Sequence, residues 1–158
     1  MPREALAIHL SIPLDERVTL PKSFCQRLEW LTGNEVEAWL YLIEPGRYRL
    51  LSDKEAETDP QLDPIRARIL HENQFIRGQP SQATPARIAV DAARLTPITI
   101  DLHKGSWRLS FRAELASLAP ADCNPRTLSM LMPDGFLEIW YTDVLRKFLD
   151  SPWRAHQR

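Results

Sequence analysis

From Leu6 to Ile12 the chain alternates: Leu6, Ile8, Leu10 and Ile12 are apolar, with Ala7, His9 and Ser11 between them. A period of two is that of a half-buried strand. Pro13 ends it, Leu14 to Glu16 turn, and Arg17 to Leu20 return as a second short strand. The period then lengthens. Pro21 stands where a first helical turn accepts proline, since its φ is preset and its missing N–H would have had no partner. Phe24, Leu28 and Leu31 follow at i, i+4 and i+7, and Gly33 is a helix stop. Glu35 to Ile43, rich in Val, Trp, Tyr and Ile, predicts a long strand. Pro45-Gly46 predicts a turn with glycine where φ is positive, and Tyr48 to Leu51 closes the unit. The predicted order is β-β-α-β-β.

The middle of the chain reads differently. Asp53 to Asp63 is acidic and is expected to be solvated. Asp63-Pro64 has the form of an N-cap and first helical residue, opening a helix through Ile65, Ile69, Glu72 and Ile76. Gly78 to Pro85 has the small polar and proline-rich composition of a linker, and Arg87 to Leu95 is assigned to a helix. Alternation resumes at Ile98, Ile100 and Leu102, between which lie Thr99, Asp101 and His103, and Arg108 to Phe111 is the return strand. A short helix carries Leu115 and Leu118 and stops by Pro120. Leu128 to Met132 and Phe136 to Trp140 predict a hairpin through Pro133-Asp134-Gly135. Thr142 caps a last helix with Leu145, Phe148 and Leu149 on one face, ended by Ser151-Pro152.

These two halves rhyme. Setting Arg17 against Arg108, 91 positions on, aligns Val18 with Leu109, Thr19 with Ser110, Leu20 with Phe111 and Phe24 with Leu115. Gly46 and Gly135 match at an offset of 89. A tandem repeat therefore organises the chain: a first unit with its following helix over 1–77, a linker over 78–95, and a second unit with a C-terminal helix over 96–158. The apolar face of 98–102 is out of phase with the offset of 91. One residue inserted or lost within Lys104-Gly105-Ser106 is expected, because a one-residue slip turns a strand inside out.

Composition narrows the function classes. With 158 residues, 44% hydrophobic and 26% charged, the chain has the composition of a globular protein with room for one domain or two small ones sharing a core. A formal net charge of −1 leaves no global attraction to nucleic acid or to an anionic membrane, so any phosphate-binding surface must be local. Cys25 and Cys123 form no CxxC pair, which fits a reducing cytoplasm. No signal-peptide pattern or membrane-span stretch is seen, and a cytoplasmic location is expected. Enzyme chemistry is not expected, nor a cofactor or metal. His71-Glu72 lacks the second histidine of a zinc-binding H-E-x-x-H helix, the five glycines form no phosphate-cradling loop, and neither cysteine has a recognisable histidine partner.

R-V-T-L-P-K-S-F, then a helix, G-N-E-V-E-A and P-G-R-Y-R-L-L, resembles the swapped-hairpin AbrB/SpoVT unit. Two such units, the second ending in F-L-E-I-W-Y-T-D-V-L-R-K-F-L, resemble the MraZ arrangement. The resemblance implies a mainly β fold with short helices, two tandem β-β-α-β-β units interlocked in a double-split barrel. It also implies a transcriptional regulator that binds double-stranded DNA through its strand-turn surfaces, often as a homo-oligomer. Carried over by position, its DNA-binding candidates are Arg17 with Lys22 in the first unit and Arg108 with Lys104 in the second. The family's glycine just before the arginine is Glu16 in one copy and Trp107 in the other, and the proline kept as Pro21 is Arg112 in the second.

Read as chemistry, Arg17 and Arg108 suit phosphates or base edges, since guanidinium is a planar fork of donors. The alternative is pairing with carboxylates such as Asp15 or Asp101. Lys104, Arg108 and Arg112, with His103, form the most basic neighbourhood of the second unit, a nucleic-acid footprint or a solvated face. Trp107 is a base-stacking candidate or a core or interface residue. The competing function is a protein-interaction module of the same fold without DNA binding. It is favoured by the low net charge, the lost turn glycines and the aromatics Trp39, Tyr41, Trp107 and Trp140, if exposed.

Overall fold

A computed structural model describes residues 7–13, 15–56, 76, 94–111, 115, 119–133 and 135–150. Eight strands form one antiparallel sheet: β1 (Ile8–Ser11), β2 (Arg17–Thr19), β3 (Glu35–Glu44), β4 (Arg47–Ser52), β5 (Leu95–His103), β6 (Ser106–Ser110), β7 (Thr127–Leu131) and β8 (Glu138–Tyr141). Among the described residues three short helices accompany them: α1 (Lys22–Cys25), α2 (Asp53–Ala56) and α3 (Thr142–Asp150). The strand order is β1-β7-β8-β4-β3-β5-β6-β2. Its two outermost strands are consecutive in the chain. Ile12 N–H donates to Arg126 O and Phe111 N–H donates to Glu16 O, both at 2.7 Å, carrying the β1·β7 and β2·β6 ladders on into the short connection between the two outermost strands, so the sheet is a nearly closed barrel. Near-closure leaves little unpaired edge for another chain to template on.

Alternation explains the interior. Val18, Leu40, Leu50, Ile100, Leu109 and Ile139 are at most 1% exposed and belong to one cluster contributed by strands from both halves of the chain. Each such side chain contributes about 1.5–3 kcal/mol on burial. Phe111 meets Tyr48 and Tyr141 edge-on, with ring centroids 6.0 Å away in each case. Both tyrosine hydroxyls donate to the carbonyl of Leu115, at 3.2 and 3.3 Å. Burial pushes the Tyr48 hydroxyl up to about 12, so the pair remains neutral donors at physiological pH.

A second layer covers the outside of β4 and β8. Trp140, Leu145, Leu131 and Ile76 are buried together there, with Phe148 and Leu149 packed against them. Arg47 grips Glu138 with two donors at 2.9 Å, and Arg49 reaches the same carboxylate at 3.1 Å. Trp140 Nε1 adds a fourth hydrogen bond at 3.0 Å, and the Arg47 guanidinium lies over the Trp140 ring at 4.3 Å. These charges are buried: Arg47 is 1% exposed, Arg49 2% and Glu138 0%. Gly46 makes the close approach of this layer possible. Its φ is +86°, and a Cβ there would sit 2.7 Å from Val144 Cγ2.

Several expectations are corrected. The helix beginning at Pro21 is a single turn, Lys22–Cys25, with Phe24 buried within it and Leu28 buried beyond its end. Asp53 begins α2, a turn of helix not expected from the sequence, where Ser52 and Glu55 form a reciprocal capping box at 2.9 and 3.2 Å; its residues are exposed or half-buried, and the rest of the acidic run, 57–63, lies outside the described residues. Leu95 is the first residue of β5, not the end of a helix. Trp140 and Tyr41 are buried rather than exposed, whereas Trp39 and Trp107 are half-buried. The two units also differ by more than one inserted residue. β5 and β6 form a ladder down to a two-residue turn, while β1 and β2 form no ladder with each other and are joined by 12–16. The helices expected over 63–76 and 87–94, the linker, and most of the Leu115–Leu118 helix lie outside the described residues.

Candidate nucleic-acid interface

β2 and β6 lie side by side with Val18 directly opposite Leu109. Both point into the barrel, 1% and 0% exposed. Side chains alternate across a strand, so Arg17, Thr19, Arg108 and Ser110 occupy the outer face. Arg17 stands opposite Ser110, and Arg108 opposite Thr19. The two arginines are thus diagonal neighbours, about 7 Å apart at the backbone. β5 follows with Asp101 opposite Arg108, and β3 with Glu35 opposite Asp101 and Glu37 opposite Thr99.

Arg108 donates to Asp101 Oδ2 at 2.8 Å, with side-chain exposures of 16% and 31%. Its Nε has no hydrogen-bond partner among the described residues. Arg17 is exposed; its backbone N–H donates to Asp15 Oδ1 at 3.1 Å, and its charge acts on Asp101 from across β6. The hydrogen bond from Arg108, helped by the charges of both arginines, holds the Asp101 carboxyl below its usual range. Asp101 therefore remains ionised between two guanidinium groups. The face is mixed in sign, not a continuous positive surface, because Glu35 and Glu37 continue it on β3.

Turn geometry separates the two copies. Lys104 and Gly105 both have positive φ, 52° and 80°, as the tight hairpin turn whose twist matches its strands requires. The glycine of the second turn is therefore Gly105, and Trp107 is a strand residue opposite Leu102. In the first copy Glu16 itself takes the left-handed conformation, φ 59°, at the position where the resembled pattern has glycine. The backbone shape is kept, but a carboxylate is fixed beside Arg17. A left-handed conformation costs a non-glycine residue about 1–2 kcal/mol.

The structure thus brings Arg17 and Arg108 together, and places Lys104, exposed, at the tip of the hairpin that carries Arg108. β2 runs toward that tip, since Leu20 N–H donates to Trp107 O, and Lys22 is exposed just beyond it. Arg112 lies outside the described residues. His103, opposite Ser106, adds an exposed imidazole to the same hairpin.

A polar cleft of about 280 Å3 at β1, β7 and the start of α3 did not stand out in the sequence. His9, Asn124, Thr127, Asp143 and Arg146 are among its walls. His9 Nδ1 is 2.6 Å from the buried Ser129 hydroxyl, which is 2.9 Å from Thr142 Oγ1. That chain ties α3 to β7 and satisfies two buried hydroxyls. Among the described residues no cluster of three or more His, Cys, Asp or Glu side chains could hold a metal ion, and no helix is long and apolar enough to cross a membrane.

No known protein-family profile matches this sequence, and no curated protein matches it.

Proposed function

We propose that this chain is a DNA-binding transcriptional regulator of the MraZ and AbrB/SpoVT kind, two interlocked copies of one β-β-α-β-β unit. The support for interlocking is the symmetry of strand pairing. Exchanging the first four strands with the last four turns β1·β7 into β5·β3 and β3·β4 into β7·β8, and returns β2·β6 and β4·β8 to themselves; β5·β6 alone has no counterpart, since β1 and β2 do not pair. The observation that carries the DNA reading is the meeting of Arg17 and Arg108 as diagonal neighbours on one outer face. Each half contributes one guanidinium, so one surface offers two planar donors to adjacent positions of a duplex. Assembly into a homo-oligomer would repeat this weak contact and raise avidity through effective concentration.

A second reading is favoured by Asp101, Glu35 and Glu37, which place three carboxylates on the same surface. It makes the chain a protein-interaction module of this fold. Binding of the full chain to random-sequence duplex DNA across a salt series separates the two. The regulator reading requires affinity that falls with salt and is weakened in Arg17→Ala/Arg108→Ala. Absence of binding at low salt would leave the interaction module.

A further inference from the structure

Resting on the DNA-binding reading, we infer that the β5–β6 hairpin enters the major groove and reads G·C pairs, Arg108 donating to guanine and Asp101 accepting from the cytosine amino group. A carboxylate among arginines is a poor phosphate site, because it repels the ligand. It suits a base edge. In the major groove guanine presents the acceptors N7 and O6, and cytosine presents an N4 amino donor, so a G·C pair calls for a donor fork beside an acceptor. Arg108 and Asp101 supply that pair on adjacent strands, already joined at 2.8 Å. The ion pair holds the arginine in one orientation before DNA arrives, which lowers the ordering cost of binding.

Hairpin geometry fits this use. The flanking strands stop at the level of Asp101 and Arg108: Glu35 pairs with Asp101 on one side, and Thr19 with Arg108 on the other. Beyond these, Leu102 N–H reaches Asn34 O and Leu20 N–H reaches Trp107 O, leaving 103–106 projecting. A Cβ on Gly105 would meet nothing within 4 Å. Two residues per strand continue about 7 Å past this pair, so the ribbon can lie along a major groove that accepts two strands, with the outer face carrying Arg108 and Asp101 turned to the base edges. The first unit has no such projection, since β1 and β2 are joined by 12–16 without a ladder between them. Each protomer therefore inserts one hairpin, with Arg17 beside it.

The test is a fluorescence-anisotropy titration of the full chain against three duplexes of equal length at fixed salt. One is all G·C, one all A·T, and the third is the G·C duplex with 7-deazaguanine. Wild type should prefer G·C by about tenfold or more and lose most of that preference on 7-deazaguanine. Asp101→Asn, which keeps the shape, should bind both natural duplexes with the preference reduced severalfold. If Asp101→Asn instead tightens binding to both duplexes equally and leaves the preference intact, Asp101 only repels phosphate and the inference falls. Equal binding of wild type to G·C and A·T overturns it while leaving the DNA-binding reading standing. No binding to any duplex overturns both.

Discussion

Two arginine–carboxylate clusters sit at two of the four ladders that join the halves of the chain, and they have opposite fates. On β4·β8, Arg47 and Arg49 hold Glu138 under Trp140 and Phe148, with every charged side chain at most 3% exposed. On β2·β6 and the adjoining β5, Arg17 and Arg108 flank Asp101 on an open face. The chemistry is the same, the solvent is not. In the first cluster each charge has been removed from water and depends on its partners, so the cluster holds the second layer in register. In the second the carboxylate is only partly screened by its neighbours, and the guanidiniums retain donors that a ligand can take. Only the exposed cluster is available for recognition.

The largest expected effect tests the buried member. Glu138→Ala leaves two guanidiniums without their shared carboxylate and should cost about 3–5 kcal/mol in urea unfolding. The matching Asp101→Asn should cost less than about 1 kcal/mol. Similar losses in both would dissolve the distinction. Next in size, Arg17→Ala/Arg108→Ala should weaken duplex binding by about tenfold or more while changing stability by less than about 1 kcal/mol. A double variant that unfolds, or one that binds as wild type does, would contradict the assignment of those arginines to recognition.

Glu16→Gly is predicted to act in the other direction. It relieves the left-handed strain at φ 59° and removes a carboxylate beside Arg17. Stability should rise by up to about 1 kcal/mol, since the relief is partly offset by a more flexible unfolded chain. DNA affinity should rise with it; a fall in both would show that the Glu16 side chain has a structural role of its own. The smallest effect is in pH. Asp101 has a lowered folded pKa, so its contribution is present above the usual carboxylate value of 3.8 and is lost as pH falls through the folded value. The stability difference between wild type and Asp101→Asn, about 0.5 kcal/mol for a partly exposed pair, should therefore be present at pH 7 and vanish in acid. A difference that grew on acidification would reverse the sign assigned to this pair.

Much of the architecture could be read from residue order. The alternation around Ile8, Val18, Ile100 and Leu109 places strands correctly because one face of each must leave water. Gly46 and Gly135 mark real turns with φ 86° and 80°. The helix α2 was missed, although Ser52 to Glu55 has the S-x-x-E form of the capping box that the structure shows there. Of the candidate site, the two arginines and Lys104 were legible; their mutual placement and the intervening Asp101 depend on which strands pair. The burial of Trp140, Tyr41, Arg47 and Arg49 was not legible either. A strand reading R-Y-R-L-L-S alternates as a half-exposed strand does, yet all six residues of β4 are buried.

By itself, the sequence determined the local elements and the inward face of each strand, because hydrophobic period and turn chemistry act over a few residues. It also determined that any charged site must be local, through a net charge near zero. Tertiary structure decided which of two similar charge clusters would be hidden. α3 and Ile76 cover the outside of β4·β8, while β2·β6 has its arginines and Asp101 facing out. Strand pairing is a long-range event that joins residues some 90 positions apart, and the cost or use of a charge depends on the layer that comes to lie over it.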